Sequence, residues 1–108
     1  MAFVRKKVKT FKWPVEVEEP ADGGVFETSK FDGVFKRLPR SEFTKLAEKG
    51  DLDLIKSILV GWDGIEDEDG KPVAFSQAVL KEFADDPYWI RGVLKSYTET
   101  FEGARLGN

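Results

Sequence analysis

The sequence predicts an α+β domain in which a small antiparallel sheet packs on about four helices. Three observations predict it. Residues 13–38 alternate apolar and polar side chains at period two and are interrupted by a glycine turn. Residues 41–103 switch to apolar spacings of three and four, punctuated by helix-start and helix-stop residues. The chain has 108 residues, 41% of them apolar with nine Phe and three Trp, which is enough for one core and one domain.

The elements follow in order. Residues 1–12 read as a basic arm or edge strand. Trp13-Pro14-Val15-Glu16-Val17-Glu18 is a strand with its valines inward, and Pro14, lacking an N–H, places it at a sheet edge. Pro20-Ala21-Asp22-Gly23-Gly24 is a turn, after which Val25 to Thr28 continues as strand. Phe31 to Leu38 is a further strand candidate, with Gly33 as a possible bulge. Ser41 is expected to cap a short helix that buries Phe43, Leu46 and Ala47 and stops at Gly50. Asp51 is expected to cap the next helix, in which Ile55, Ile58, Leu59 and Trp62 fall on one stripe. Ser76 caps a third helix carrying Val79, Leu80 and Phe83. Asp86-Pro87 supplies an N-cap and a first-turn proline for a fourth, with Ile90, Val93, Leu94, Tyr97 and Phe101 inward and Arg91, Lys95, Glu99 and Glu102 in water. Gly103 breaks it.

Composition narrows the chemistry. The chain contains neither His nor Cys, which removes His-dependent nucleophile systems, thiolate chemistry and ordinary zinc sites. Only carboxylate, Lys, Tyr or Ser chemistry remains, so the expectation is a protein that is not an enzyme and has no cofactor. Carboxylate pairs occur at Glu16/Glu18, Asp67/Asp69 and Asp85/Asp86, but each is local and reads as a solvated face or a cap, not the two arms of a hydrolase cleft. The acidic stretch Asp63 to Gly70 invites a calcium reading. With Gly70 at position six of an EF-hand loop, Asp67 and Asp69 take positions three and five, but Ile65 and Ser76 fall where carboxylates are required. The stretch therefore reads as an acidic turn. No apolar run is long enough to span a bilayer and no signal peptide precedes the domain, so a cytosolic location is expected.

The net charge is −3, yet Arg5, Lys6, Lys7, Lys9 and Lys12 gather five positive charges before the first acid. With Phe3, Phe11 and Trp13 among them, this arm could bind single-stranded nucleic acid, making a small nucleic-acid-binding regulator the alternative reading. The acidic body and the lack of a nucleic-acid-binding motif favour contact with protein instead. The expected contact residues are Trp62, Trp89, Tyr97 and Phe101, with Arg5, Lys7 and Lys9 from the arm.

One ordered set of motifs is more distinctive than its composition. It comprises Leu59-Val60-Gly61-Trp62-Asp63-Gly64-Ile65, then Asp69-Gly70-Lys71-Pro72-Val73-Ala74-Phe75-Ser76, and a final helix from Pro87 to Gly103. Upstream of these lie Trp13-Pro14-Val15, Pro20 to Gly24, and Phe35-Lys36-Arg37-Leu38-Pro39. Together they resemble the tail assembly chaperone family of long-tailed bacteriophages. The resemblance implies a non-catalytic protein that binds the tape measure protein, keeps its apolar helices from aggregating and helps recruit tail tube subunits. It also implies that the protein acts in the cytoplasm of the bacterial host and is absent from the finished virion. Many such proteins have a longer frameshifted form, and the end at Leu106-Gly107-Asn108 would suit the short one. An exposed apolar patch on such a domain would also drive self-association, giving a concentration-dependent oligomer as an open or ring-like array.

Overall fold

The computed structural model describes residues 1–4 and 9–102. Its elements are β1 (Thr10–Ala21), β2 (Val25–Lys36), α1 (Arg40–Lys49), α2 (Asp51–Ile58), β3 (Leu59–Asp63), α3 (Gln77–Phe83) and α4 (Pro87–Glu102). The strands form one antiparallel sheet in the order β1-β2-β3, and the helices follow or flank it in an α+β arrangement.

The hairpin is long, with twelve residues in each strand. β1 and β2 pair from Thr10↔Lys36 to Ala21↔Val25, so the two segments read separately as Val25–Thr28 and Phe31–Leu38 are one strand, ending at Lys36. The turn rests on Gly23 and Gly24, both at positive φ, a conformation other residues adopt only with strain. The Arg37 N–H donates to the Lys9 carbonyl at 2.9 Å. In an antiparallel ladder hydrogen-bonded positions alternate, so the odd positions of β1 face β2 and the even ones face away. Pro14 and Pro20 both occupy outward positions, where a missing N–H breaks no ladder bond and blunts the edge.

The core lies on the face carrying Val15, Val17, Phe31 and Phe35. α4 crosses this face, and Gly92 sets how closely. A Cβ built on Gly92 would lie 2.5 Å from the Glu16 carbonyl oxygen and 3.1 Å from a Val17 methyl, so only a bare Cα fits. The buried stripe of α4 is Trp89, Gly92, Val93, Ser96 and Tyr97. It is rotated from the expected one: Ile90 and Leu94 are half-buried and Phe101 is exposed.

The region after β2 departs from expectation in three places. The second helix stops at Ile58, and Leu59 to Asp63 form β3 on the free edge of β2, with a register irregularity between Val34 and Phe35, next to Gly33. Ser41 does not cap α1, which begins at Arg40 after Pro39. Asp51 does not cap α2 and is its first residue after Gly50, where its charge still suits the positive helix end. Ser76 and Asp86 do cap: their side chains accept from the Val79 N–H at 3.1 Å and the Tyr88 N–H at 2.9 Å.

Candidate functional site: an open aromatic groove

The aromatic side chains divide into two clusters at different ends of the core. The first joins Phe31, Trp62, Phe75, Phe83 and Trp89, with ring centroids 4.8–6.5 Å apart. Trp62 is its hub. The indole Nε1–H donates to the Val73 carbonyl at 2.8 Å, tying β3 to the segment after the acidic turn. That turn is stitched by Asp67, whose carboxylate accepts from the Asp69 and Lys71 N–H groups at 2.9 and 3.0 Å. Its rims pair through Val73 N–H to Ile65 carbonyl at 2.8 Å, and Gly70 supplies the positive φ. The acidic segment is thus a tight turn with its central carboxylate spent on backbone donors. Among the described residues no group of three or more metal-ligating side chains comes together.

The second cluster joins Phe11, Phe35, Phe43, Tyr97 and Phe101. Its hub is Tyr97, whose hydroxyl donates to the Lys36 carbonyl at 2.9 Å and accepts from the Leu38 N–H at 3.4 Å, clamping the exit of β2 to α4. Burial pushes the phenol pKa above its ordinary value of 10.0, opposed by the Leu38 hydrogen bond and reinforced by the Glu42 carboxylate. This cluster is not closed. α1, which covers it, has no fully buried residue: Phe43 and Leu46 are half-buried and Ala47 is exposed, against the expected buried stripe. A groove of about 1040 Å³ therefore opens between the start of β1, α1 and the last turn of α4. Phe11, Trp13, Leu38, Phe43, Tyr97 and Phe101 supply its apolar walls, and Arg37, Arg40 and Glu102 its charges. Its threonine hydroxyls are occupied, Thr44 donating to the Arg40 carbonyl and Thr100 to the Tyr97 carbonyl. Such a surface can grip an apolar side chain and orient it by charge.

The residues expected to make contacts are distributed unevenly across these features. Trp62, Trp89 and Tyr97 are 7%, 8% and 4% exposed, so all three sit in the core, and Tyr97 alone of them also lines the groove. Phe101, at 60% exposure, stands at the groove mouth. Lys9 is exposed at the start of the sheet, while Arg5 and Lys7 lie outside the described residues. Lys12, counted with the basic arm, turns to Asp63 on β3 at 2.7 Å, and that hydrogen bond and charge raise its pKa. Phe43, Leu38, Arg37 and Arg40 belong to the groove although the sequence did not single them out as contacts. The run Arg37-Leu38-Pro39-Arg40, two cations around an apolar residue outside any strand, was the available signal.

Among the described residues no helix is long and apolar enough to cross a membrane. Comparison of the chain with protein-family models, with curated proteins and with solved structures finds no match in any of the three.

Proposed function

We propose that this chain is a non-catalytic assembly chaperone of a long-tailed phage, which holds the tape measure protein and helps bring tail tube subunits to it in the host cytoplasm before leaving the finished particle. The observation that carries the reading is the open groove with Phe101 at its mouth. A long helical client that would aggregate through its apolar stripe needs an amphipathic acceptor, and recognition of a helix in a groove uses apolar anchors three and four residues apart. The groove offers aromatic walls for such anchors, and Arg37 and Arg40 for acidic residues beside them. The tape measure client follows from the resemblance of the ordered motifs from Trp13 to Gly103 to the tail assembly chaperone family. The groove's donors and acceptors are guanidiniums, one carboxylate, two threonine hydroxyls bonded to their own helices and the Tyr97 hydroxyl bonded to the exit of β2, an equipment suited to holding.

Co-expression with helical fragments of a tape measure protein tests this. The wild-type chain retains a fragment through affinity purification, and Phe101→Asp, with unchanged thermal stability, retains at least tenfold less. Failure of the wild-type chain to hold any tape measure segment contradicts the reading. The nucleic-acid alternative draws on an arm of which Lys12 is already paired with Asp63.

A further inference from the structure

α1 covers the groove without being fastened to it. Of its ten residues only Phe43 and Leu46 are half-buried, and the others are exposed. The eight-residue α2 beside it buries Leu54, Ile55 and Ile58. Among the described residues no side chain of α1 is hydrogen-bonded or ion-paired to another element. Its Thr44 hydroxyl donates to the Arg40 carbonyl inside the same helix. Its first turn has no side-chain cap. An isolated helix shorter than about 12–15 residues is marginal in water, so ten residues on two partial anchors are weakly held.

The ends of α1 suit a pivot. Pro39 precedes it, and Gly50 follows at a φ of 124°. Beyond these single residues the chain is held on both sides. Leu38 is half-buried and its N–H donates to the Tyr97 hydroxyl, while α2 is fixed by its buried residues. The weak segment therefore lies between two firm ones.

Beneath α1 lies the apolar centre of the groove. The Phe43 ring stacks on Tyr97 with centroids 5.9 Å apart at 13°, and meets Phe101 edge-on at 5.6 Å. Without that ring, Phe11, Leu38, Tyr97 and Phe101 form one uncovered face. The helix that covers it now shows what fits it. Phe43 and Leu46, three positions apart on one side of α1, both pack against the core.

We propose that α1 is a displaceable internal stand-in for the client. It swings out about Pro39 and Gly50, and an amphipathic client helix carrying a Phe-x-x-Leu pair takes its place against Tyr97 and Phe101. This deepens the reading of the groove as the client's site and rests on that reading for the client's identity. One helix replaces another, so the apolar face stays covered before and after binding.

Two experiments on the full chain test the exchange. Hydrogen exchange of the wild type alone is expected to show α1 amides exchanging about a hundredfold faster than those in the buried turns of α2 and α4. Equal protection overturns the proposal. The second probe is a synthetic peptide of residues 40–49, its binding followed through the Trp13 indole N–H signal. The variant Phe43→Ala/Leu46→Ala, which loosens the resident helix, is expected to bind it about tenfold more tightly than wild type. The same peptide carrying Phe43→Ala and Leu46→Ala is expected not to bind. Capture no tighter than that by wild type overturns the proposal, as does equal capture of the alanine peptide. A tape measure fragment that binds wild type without lowering α1 protection overturns the exchange and leaves the client site standing. Capture of the peptide when no tape measure fragment is retained supports the exchange and refutes only the client's identity.

Discussion

The two aromatic clusters are built from similar side chains and do opposite things. Around Trp62 the central rings of Phe31, Trp62 and Trp89 are buried beneath half-buried Phe75 and Phe83, and the indole N–H has its acceptor. Around Tyr97 the hub is equally buried, but the covering helix α1 buries nothing completely and Phe101 stands in water. The difference lies in the covering segments. Residues 64–76 are tied down by backbone hydrogen bonds and a cap, whereas α1 is an amphipathic helix of ten residues held by half-buried Phe43 and Leu46. Aromatic content alone does not say where a protein binds: a closed cluster supplies stability and an open one supplies a surface.

Substitutions can break this contrast, in descending order of effect. Trp62→Ala should be the most damaging, since it removes the hub of the closed cluster and orphans the Val73 carbonyl. A loss of about 3–5 kcal/mol is expected, read from chemical denaturation. Gly92→Ala should follow, at about 1–3 kcal/mol, because the new methyl meets the Glu16 carbonyl and the helix must back away from β1. Tyr97→Phe should cost about 1–2 kcal/mol, as the Lys36 carbonyl and Leu38 N–H lose their shared partner.

The same tyrosine gives a pH signature. Its folded-state pKa is raised, so the folded protein holds the phenolic proton more tightly than the unfolded chain. The stabilisation is fully present below pH 10.0, the ordinary tyrosine value, and is lost as pH climbs through the higher folded value. Tyr97→Phe should remove that part of the alkaline loss. Smallest in stability is Phe101→Ala, within about 0.5 kcal/mol of wild type because the ring is mostly exposed. Its effect should appear instead as weaker client retention, sharpening the division between folding and binding residues.

Much of the fold was legible because local chemistry decides it. The double-glycine turn, the edge proline Pro14, the Ser76 cap and the Asp86-Pro87 start each act within a few residues, whereas Pro20, read as part of the turn, lies inside β1. β3 was not legible. Ile55, Ile58, Leu59 and Trp62 fit a helical stripe as well as a short apolar strand does, and the choice was made by the free edge of β2, more than twenty residues upstream. The rotated face of α4 escaped for a different reason. Apolar periodicity counts large side chains, whereas this helix meets the sheet through Gly92 and Ser96, whose smallness allows the approach. That rotation also exposes Phe101, so missing it blurs the site. The groove itself joins residues from both ends of the chain, from Phe11 to Glu102, and no local pattern announces it.

The three tryptophans allow the division between open and closed clusters to be measured in one spectrum. Trp13 lines the groove, while Trp62 and Trp89 are buried in the closed cluster. In a ¹H–¹⁵N correlation spectrum each indole N–H gives its own signal. On titration with a retained tape measure fragment, the Trp13 indole signal should shift or broaden while those of Trp62 and Trp89 stay in place. Movement of Trp62 or Trp89 with Trp13 unaffected would place binding at the closed cluster and contradict the account.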